Sequence, residues 1–283
     1  MEFSIKEDEL IRLSEVFAEG KASCHLTLSP DEKELFLSNY ESGTVSVYAK
    51  EKGMSWGTVQ VIRLTGSGPD KERQTSAHAH ETLFDRVNDH LWVVDLGSDA
   101  LLVFKKTDEN PGRWVIHDRI SLHPGDGPRH MIVSSNGKRV FVITELSNCL
   151  VSFEKKKGNW VETNRVCLVE DDSSYCGNRC LAAEVALSSD EKFIYCSVRG
   201  SDKIIVLGLR KDGSSTIIQK ISSGGKGPRY FEISPDGKWL AVANQDSDSI
   251  SIFERNIDNG TILETAQIKI PCPTCVIWRN RYE

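Results

Sequence analysis

Residues 127–154, GPRHMIVSSNGKRVFVITELSNCLVSFE, decide the fold. A short stretch, His130–Val133, runs into SSNGK, where Ser, Asn and Gly set a tight turn. A second stretch, Val140–Thr144, is rich in β-branched and aromatic residues, as strands are. A polar turn then leads to a third apolar stretch, and helical periodicity is absent here and over most of the chain. The same grammar returns in ASCHLTLSPDEKELFLSNYESGTVSVY (22–48), AHAHETLFDRVNDHLWVVDLGSDALLVF (77–104), LAAEVALSSDEKFIYCSVRGSDKIIVLGL (181–209) and GPRYFEISPDGKWLAVANQDSDSISIF (227–253). Aligned at residues 25, 80, 130, 184 and 230, the five units are spaced by 55, 50, 54 and 46 residues.

A repeat of about 40–50 residues, one four-stranded unit each, is the signature of propeller blades. Third strands such as Thr44–Tyr48 and Ser249–Phe253 alternate in polarity, and more polar fourth strands, Val59–Leu64 and Ile217–Ile221, close the units on their outer edge. The expectation is therefore an all-β, single-domain β-propeller of four-stranded blades. Residues 1–20 supply a partial outer strand (Leu10–Phe17), 21–270 five complete blades, and 271–283 the inner strand of a closing blade (Thr274–Trp278). A ring is completed from both termini so that no sheet edge stays open. Two lone terminal strands are too few for that, which predicts exposed blade edges and self-association through them.

Composition excludes several classes. The chain has 283 residues, 35 Lys+Arg against 41 Asp+Glu and a formal charge of −6. Hydrophobic residues at 39% suffice for a packed core and argue against a disordered chain. A mild acidic excess without a basic block argues against nucleic acid, whose binding rests on phosphate neutralisation. No apolar run is long enough to span a bilayer, and MEFSIKEDELIRL lacks the basic-then-apolar order of a signal peptide. A cytoplasmic protein without membrane or nucleic-acid partners is expected. Its cysteines then read as reduced thiols. Cys272-Pro-Thr-Cys275 has zinc-knuckle spacing but no second ligand pair, and it reads, like Cys176/Cys180, as packed thiols. No metal or cofactor is implied.

Alignment of the units makes two columns. The first reads His25, His80, His130, Glu184 and Tyr230, preceded by Cys24, Ala79, Arg129, Ala183 and Arg229. The second, at the end of each second strand, reads Asn39-Tyr40, Asp95-Leu96, Thr144-Glu145, Val198-Arg199 and Asn244-Gln245. First strands line a propeller's channel, so equivalent positions converge. Polar groups line such a channel simply because water fills it. Arginines, carboxylates and imidazoles crowded together also perturb one another's pKa values, bind a small anion and move protons.

The motifs AHAHETLFD…VVDLGSD, GDGPRHMIVSSNGKRVFVITELSN, LAAEVALSSDEKFIYCSVRGSD and GKGPRYFEISPDGKWLAVANQDSD resemble the lactonase family of seven-bladed propellers. That family includes propeller-type 6-phosphogluconolactonases and fungal carboxymuconate lactonizing enzymes. The likeness runs from about Gly20 onward. It implies a catalytic group of His80, Arg129, Glu145 and Arg199, with His25, His78, His130, Glu184, Arg229, Asn244 and Gln245 as the substrate-binding wall. The family's chains carry further blade sequence before the position of Leu10, so the resemblance implies a shortened chain. The expected reaction is hydrolysis of a sugar-acid lactone, such as 6-phosphogluconolactone, by a carboxylic ester hydrolase without cofactor. The substrate is a small anion, a phosphorylated or carboxylated lactone. Two alternatives stay open, a carboxymuconate cyclase using the same arginines and a non-catalytic propeller scaffold.

Overall fold

Side chains alternate across an extended strand, so a sheet packed on both faces must be apolar at successive positions and not only at every second one. Leu91–Val94, Val140–Ile143 and Ile204–Leu207 are built this way, each a run of four successive buried apolar residues. The computed structural model describes residues 1–6, 9–50, 55–107, 113–169 and 180–278. Over these the chain forms five four-stranded antiparallel sheets and one two-stranded sheet, with no α-helix. The two-stranded sheet pairs β1 (Glu2–Lys6) with β2 (Glu9–Ser14). The expected lone strand at Leu10–Phe17 therefore has a partner: β2 starts one residue before it and ends within it, and β1 lies alongside.

Each four-stranded sheet is a meander in chain order. The first holds β3 (Ser23–Leu28), β4 (Glu34–Asn39), β5 (Thr44–Ala49) and β6 (Gly57–Arg63). The second holds β7 (Ala79–Asp85), β8 (His90–Asp95), β9 (Ala100–Lys106) and β10 (Trp114–Ser121). The third holds β11 (Pro128–Val133), β12 (Arg139–Thr144), β13 (Cys149–Lys156) and β14 (Asn159–Cys167). The fourth holds β15 (Leu181–Leu187), β16 (Phe193–Arg199), β17 (Lys203–Leu209) and β18 (Ser215–Ser222). The fifth holds β19 (Pro228–Ile233), β20 (Trp239–Asn244), β21 (Ser249–Arg255) and β22 (Ile262–Lys269). These meanders are the blades of a β-propeller. Residues 274–278 form no strand, against expectation. Pro271 and Pro273 remove amide donors ahead of it, and Trp278 is tied to Glu232 instead, its N–H on Oε2 at 2.7 Å and its indole N–H on the backbone carbonyl at 3.1 Å.

The chain divides into two compact units, Met1–Gly125 and Asp126–Glu283. In the first, the inner strands β3 and β7 are neighbours, and Phe36, Val45 and Val47 pack on Leu91, Val93, Phe104 and Trp114. In the second, β11, β15 and β19 follow one another. Strand β16 shows the alternation at work: Ile194, Cys196 and Val198 face Phe141, Ile143 and Leu150, while Phe193 and Tyr195 face Phe231, Leu240, Val242 and Phe253. Each such side chain stabilises the fold by roughly 1.5–3 kcal/mol through burial. The first hairpin of a blade closes on a repeated serine. Ser134 accepts the Arg139 N–H at 3.0 Å and donates to Asn136, and Gly137, at φ 66°, turns the chain back.

Cys24, Cys149, Cys167, Cys196, Cys272 and Cys275 are free thiols. Cys180 is disulfide-bonded, which corrects the expectation of a reduced thiol there; Cys176 lies outside the described residues. No helix among the described residues is long and apolar enough to cross a membrane.

Candidate active site

Every innermost strand breaks register near its start. The break falls between Ser23 and His25, Ala79 and Glu81, Pro128 and His130, Ala182 and Val185, and Pro228 and Tyr230. A bulge adds one residue on one strand and re-aims its side chain. Counted from these bulges, Cys24, His80, Arg129, Ala183 and Arg229 are equivalent, and so are His25, Glu81, His130, Glu184 and Tyr230. This corrects the sequence alignment by one residue in the second blade. His80 matches Arg129, and Glu81, which sequence reasoning missed, takes its place in the imidazole column. No sequence signal marks it: Ala79 lies opposite Asp95, as Pro128 lies opposite Thr144, only in the strand pairing.

The second column also splits in two. Its first member clamps the turn. Asn39 donates to Ser46 Oγ at 2.9 Å, Asp95 accepts the His78 and Gly97 amides, and Thr144 accepts the Cys149 amide at 2.9 Å. Asn244 is fully buried, its amide on the Ser223 carbonyl at 2.9 Å and Ser251 Oγ at 3.2 Å. The structure thus places Asn244 in the turn. The residue that follows is Tyr40, Leu96, Glu145, Arg199 or Gln245, of which Leu96 and Glu145 are buried.

Within the second unit these positions assemble a charged cluster. Glu145 Oε2 lies 3.1 Å from Arg129 Nε and accepts from Arg199 Nη2 at 2.9 Å. Arg129 also donates to the Ala183 carbonyl at 2.6 Å. One residue along the strand, His130 Nδ1 meets Glu184 Oε2 at 2.8 Å. A carboxylate only accepts, so the proton sits on Nδ1. Arg129, His130, Glu145 and Glu184 are all buried. Burial first, then the neighbouring Arg129 guanidinium, push the His130 pKa well below its ordinary 6.5, with Arg229 and Arg199 adding to the effect against Glu145. His130 is therefore neutral. Burial likewise raises Glu232, with Glu184 contributing. Three guanidiniums, Arg129, Arg199 and Arg229, act on His130 together with the Glu145 carboxylate, a mixed-charge setting in which arginines can meet an anion. Gln245 stands at the rim of the fifth sheet, near Cys272.

The first unit carries its own aromatic and imidazole group. His78 stacks on Tyr40 with ring centroids 4.5 Å apart, and its Nδ1 lies 2.9 Å from the Tyr40 carbonyl. His80 is buried and meets the same ring edge-on at 5.7 Å. His25 Nε2 lies 3.7 Å from Glu81 Oε1, a looser and more exposed counterpart of the His130–Glu184 pair. Arg73 donates to the Tyr40 hydroxyl at 3.1 Å. Among the described residues no three His, Cys, Asp or Glu side chains are grouped to hold a metal ion.

Comparison with known proteins gives consistent relatives. The family model "Lactonase, 7-bladed beta-propeller" matches residues 1–278. The chain is 33% identical over 256 residues to a 6-phosphogluconolactonase of Formosa agariphila, covering 88% of this chain and 71% of that protein. It is 29% identical over 273 residues to the 6-phosphogluconolactonase of Bacillus subtilis, covering 95% and 76%. Among solved structures, a Lactobacillus plantarum protein superposes with a TM-score of 0.89 at 26% identity, covering 96% of this chain and 79% of that one. The periplasmic gluconolactonase of Pseudomonas aeruginosa does so with a TM-score of 0.85 at 25% identity, covering 96% and 77%.

Proposed function

Because the chain belongs to the lactonase family of seven-bladed β-propellers, we propose that it hydrolyses a sugar-acid lactone, 6-phosphogluconolactone, to 6-phosphogluconate. The observation that carries this reading is the buried Glu145 carboxylate held between Arg129 and Arg199. Two relatives bear the name 6-phosphogluconolactonase, which favours ring opening over cyclisation and over a scaffold role.

Opening the ring requires water to add to the lactone carbonyl, a tetrahedral oxyanion to be stabilised, and the ring C–O bond to break. Arg129 and Arg199 are the donors aimed at developing negative charge, in a setting where burial strengthens each charge contact. Arg229 is the further guanidinium for the substrate's own anionic group. The Glu145 carboxylate takes the proton of the attacking water and returns it to the departing ring oxygen. Neutral His130, fixed by Glu184, keeps a second positive charge away from Arg129. His80 occupies in β7 the register position that Arg129 occupies in β11.

Lactone hydrolysis releases an acid, so turnover is read from proton release in weakly buffered solution. The purified chain should open 6-phosphogluconolactone well above the spontaneous rate, and Glu145→Gln should abolish most of that activity. Full activity in a folded Glu145→Gln variant, or no activity in the wild type, would overturn the reading.

A further inference from the structure

Glu145 is the first residue past β12, and its backbone is strapped to the segment ahead of β11. The Glu145 amide donates to the Gly127 carbonyl at 2.7 Å, and the Leu146 and Ser147 amides donate to the Asp126 carbonyl at 3.2 and 3.3 Å. That strap is generic to the repeat. Tyr40 and Glu41 donate to Ala22 and Lys21 in the first sheet, and Gln245 and Asp246 to Gly227 and Lys226 in the fifth. What differs is the side chain standing at the strap. The first and fifth sheets have lysines, Lys21 and Lys226; the third has a buried aspartate, Asp126.

Asp126 is used in a specific way. Its Oδ1 accepts from Ser147 Oγ at 2.7 Å, within the turn that carries Glu145. Both its oxygens accept from Arg165 on β14, Oδ1 from Nη1 at 2.8 Å and Oδ2 from Nη2 at 2.9 Å. Glu162 backs the same guanidinium at 3.0 Å through both Nε and Nη2. A planar fork engaged on two sides has little freedom left. Burial opposes the Arg165 charge, but the Glu162 and Asp126 carboxylates outweigh it and hold its pKa above the ordinary arginine value. In the fifth sheet the residue at the register position of Arg165 is Gln267, which donates to the Gly224 carbonyl and to Ser251 Oγ.

We propose that Arg165 is a positioning residue for Glu145: through the bidentate Asp126 clamp and Ser147 it fixes the turn that holds the carboxylate between Arg129 and Arg199. The proposal rests on the lactonase reading of that cluster. Losing the clamp frees the turn while the generic backbone strap keeps the blade folded. The effect therefore falls on the placement of a reacting group, where an error near 1 Å costs about 10²-fold.

The test compares Arg165→Met, Arg165→Lys and Asp126→Asn in 6-phosphogluconolactone kinetics, with Arg139→Met, at the opposite end of β12, as control. Arg165→Met and Asp126→Asn should each lower kcat by about 10- to 100-fold with KM nearly unchanged. Arg165→Lys, which keeps the charge but not the fork, should recover part of the loss, and Arg139→Met should suffer none of it. Because both residues act through one clamp, the Arg165→Met/Asp126→Asn double variant should be no slower than the slower single variant. Wild-type kcat in folded Arg165→Met, or losses that add in the double variant, would overturn the proposal. A wild type that opens no lactone would refute the proposed function instead. The clamp is then read from the Glu145 side-chain carboxyl 13C signal, assigned by Glu145→Gln. It should move in Arg165→Met and stay put in Arg139→Met; an unmoved signal in Arg165→Met overturns the proposal.

Discussion

The β11–β14 and β19–β22 sheets set Pro128 and Pro228, Arg129 and Arg229, and Thr144 and Asn244 at matching points of one register. In the third sheet the bulge arginine is buried against a carboxylate, Glu145, and the next residue, His130, is buried against Glu184. In the fifth sheet Arg229 is only half-buried, Gln245 replaces Glu145, and Tyr230 replaces His130. The backbone is the same device twice. The difference is that Arg129 lies against a carboxylate of its own sheet, whereas among the described residues Arg229 shows no ion pair. On the proposed reading, the third blade serves the reacting centre and the fifth holds the substrate's charge.

The strongest way to break this comparison is to remove each arginine in turn. Arg129→Ala should cut kcat for lactone opening by about 10²–10³, the usual cost of losing an oxyanion-stabilising donor. Arg229→Ala should act mainly on KM. Equal losses of kcat in the two variants would sink the division of labour.

A smaller effect separates His130 from Tyr230. The folded pKa of His130 lies below its ordinary 6.5, so the unfolded chain takes up that proton first. Stability should fall as pH drops below about 6.5 and keep falling until the folded pKa is reached, because the unfolded state binds more protons throughout that window. His130→Asn should flatten this part of a plot of urea midpoint against pH, and Tyr230→Phe should not. Parallel curves for wild type and His130→Asn would refute it.

The smallest effect concerns the second hairpins. Cys149 and Cys167 face each other across β13 and β14 with their sulfurs 3.5 Å apart, where the fifth sheet has Ser249 and Lys269. Burial, then Cys167, push the Cys149 thiol up to about 11. The thiolate is the nucleophile, so iodoacetamide at neutral pH should label exposed Cys167 well before Cys149, as read by peptide mass mapping. Equal labelling rates would contradict the assignment.

Some of this was legible in the chain before any coordinates. The blade grammar around SSNGK and SPDGK, the polarity of the fourth strands and the family itself could all be read, because turns and alternation depend on residues a few positions apart. Arg129, Glu145 and Arg199 stood in the columns of the repeat and were singled out by the family resemblance, and the structure brings these three into contact. Glu81 could not, since one bulge residue shifts the count. Nor could the true part of Asn244, whose amide is consumed inside its turn. The terminal segment 274–278 read as a strand by composition, yet two prolines and the Glu232 anchor settle it otherwise.

Local chemistry, then, was enough to determine that this chain makes repeated four-stranded antiparallel units and which residue types stand at their strand ends. Only the tertiary structure decided which of those residues meet. Arg165 finds Asp126 39 residues away and His130 finds Glu184 54 residues away. Such pairings depend on bulge register and on how neighbouring sheets pack, and neither is encoded within any single repeat.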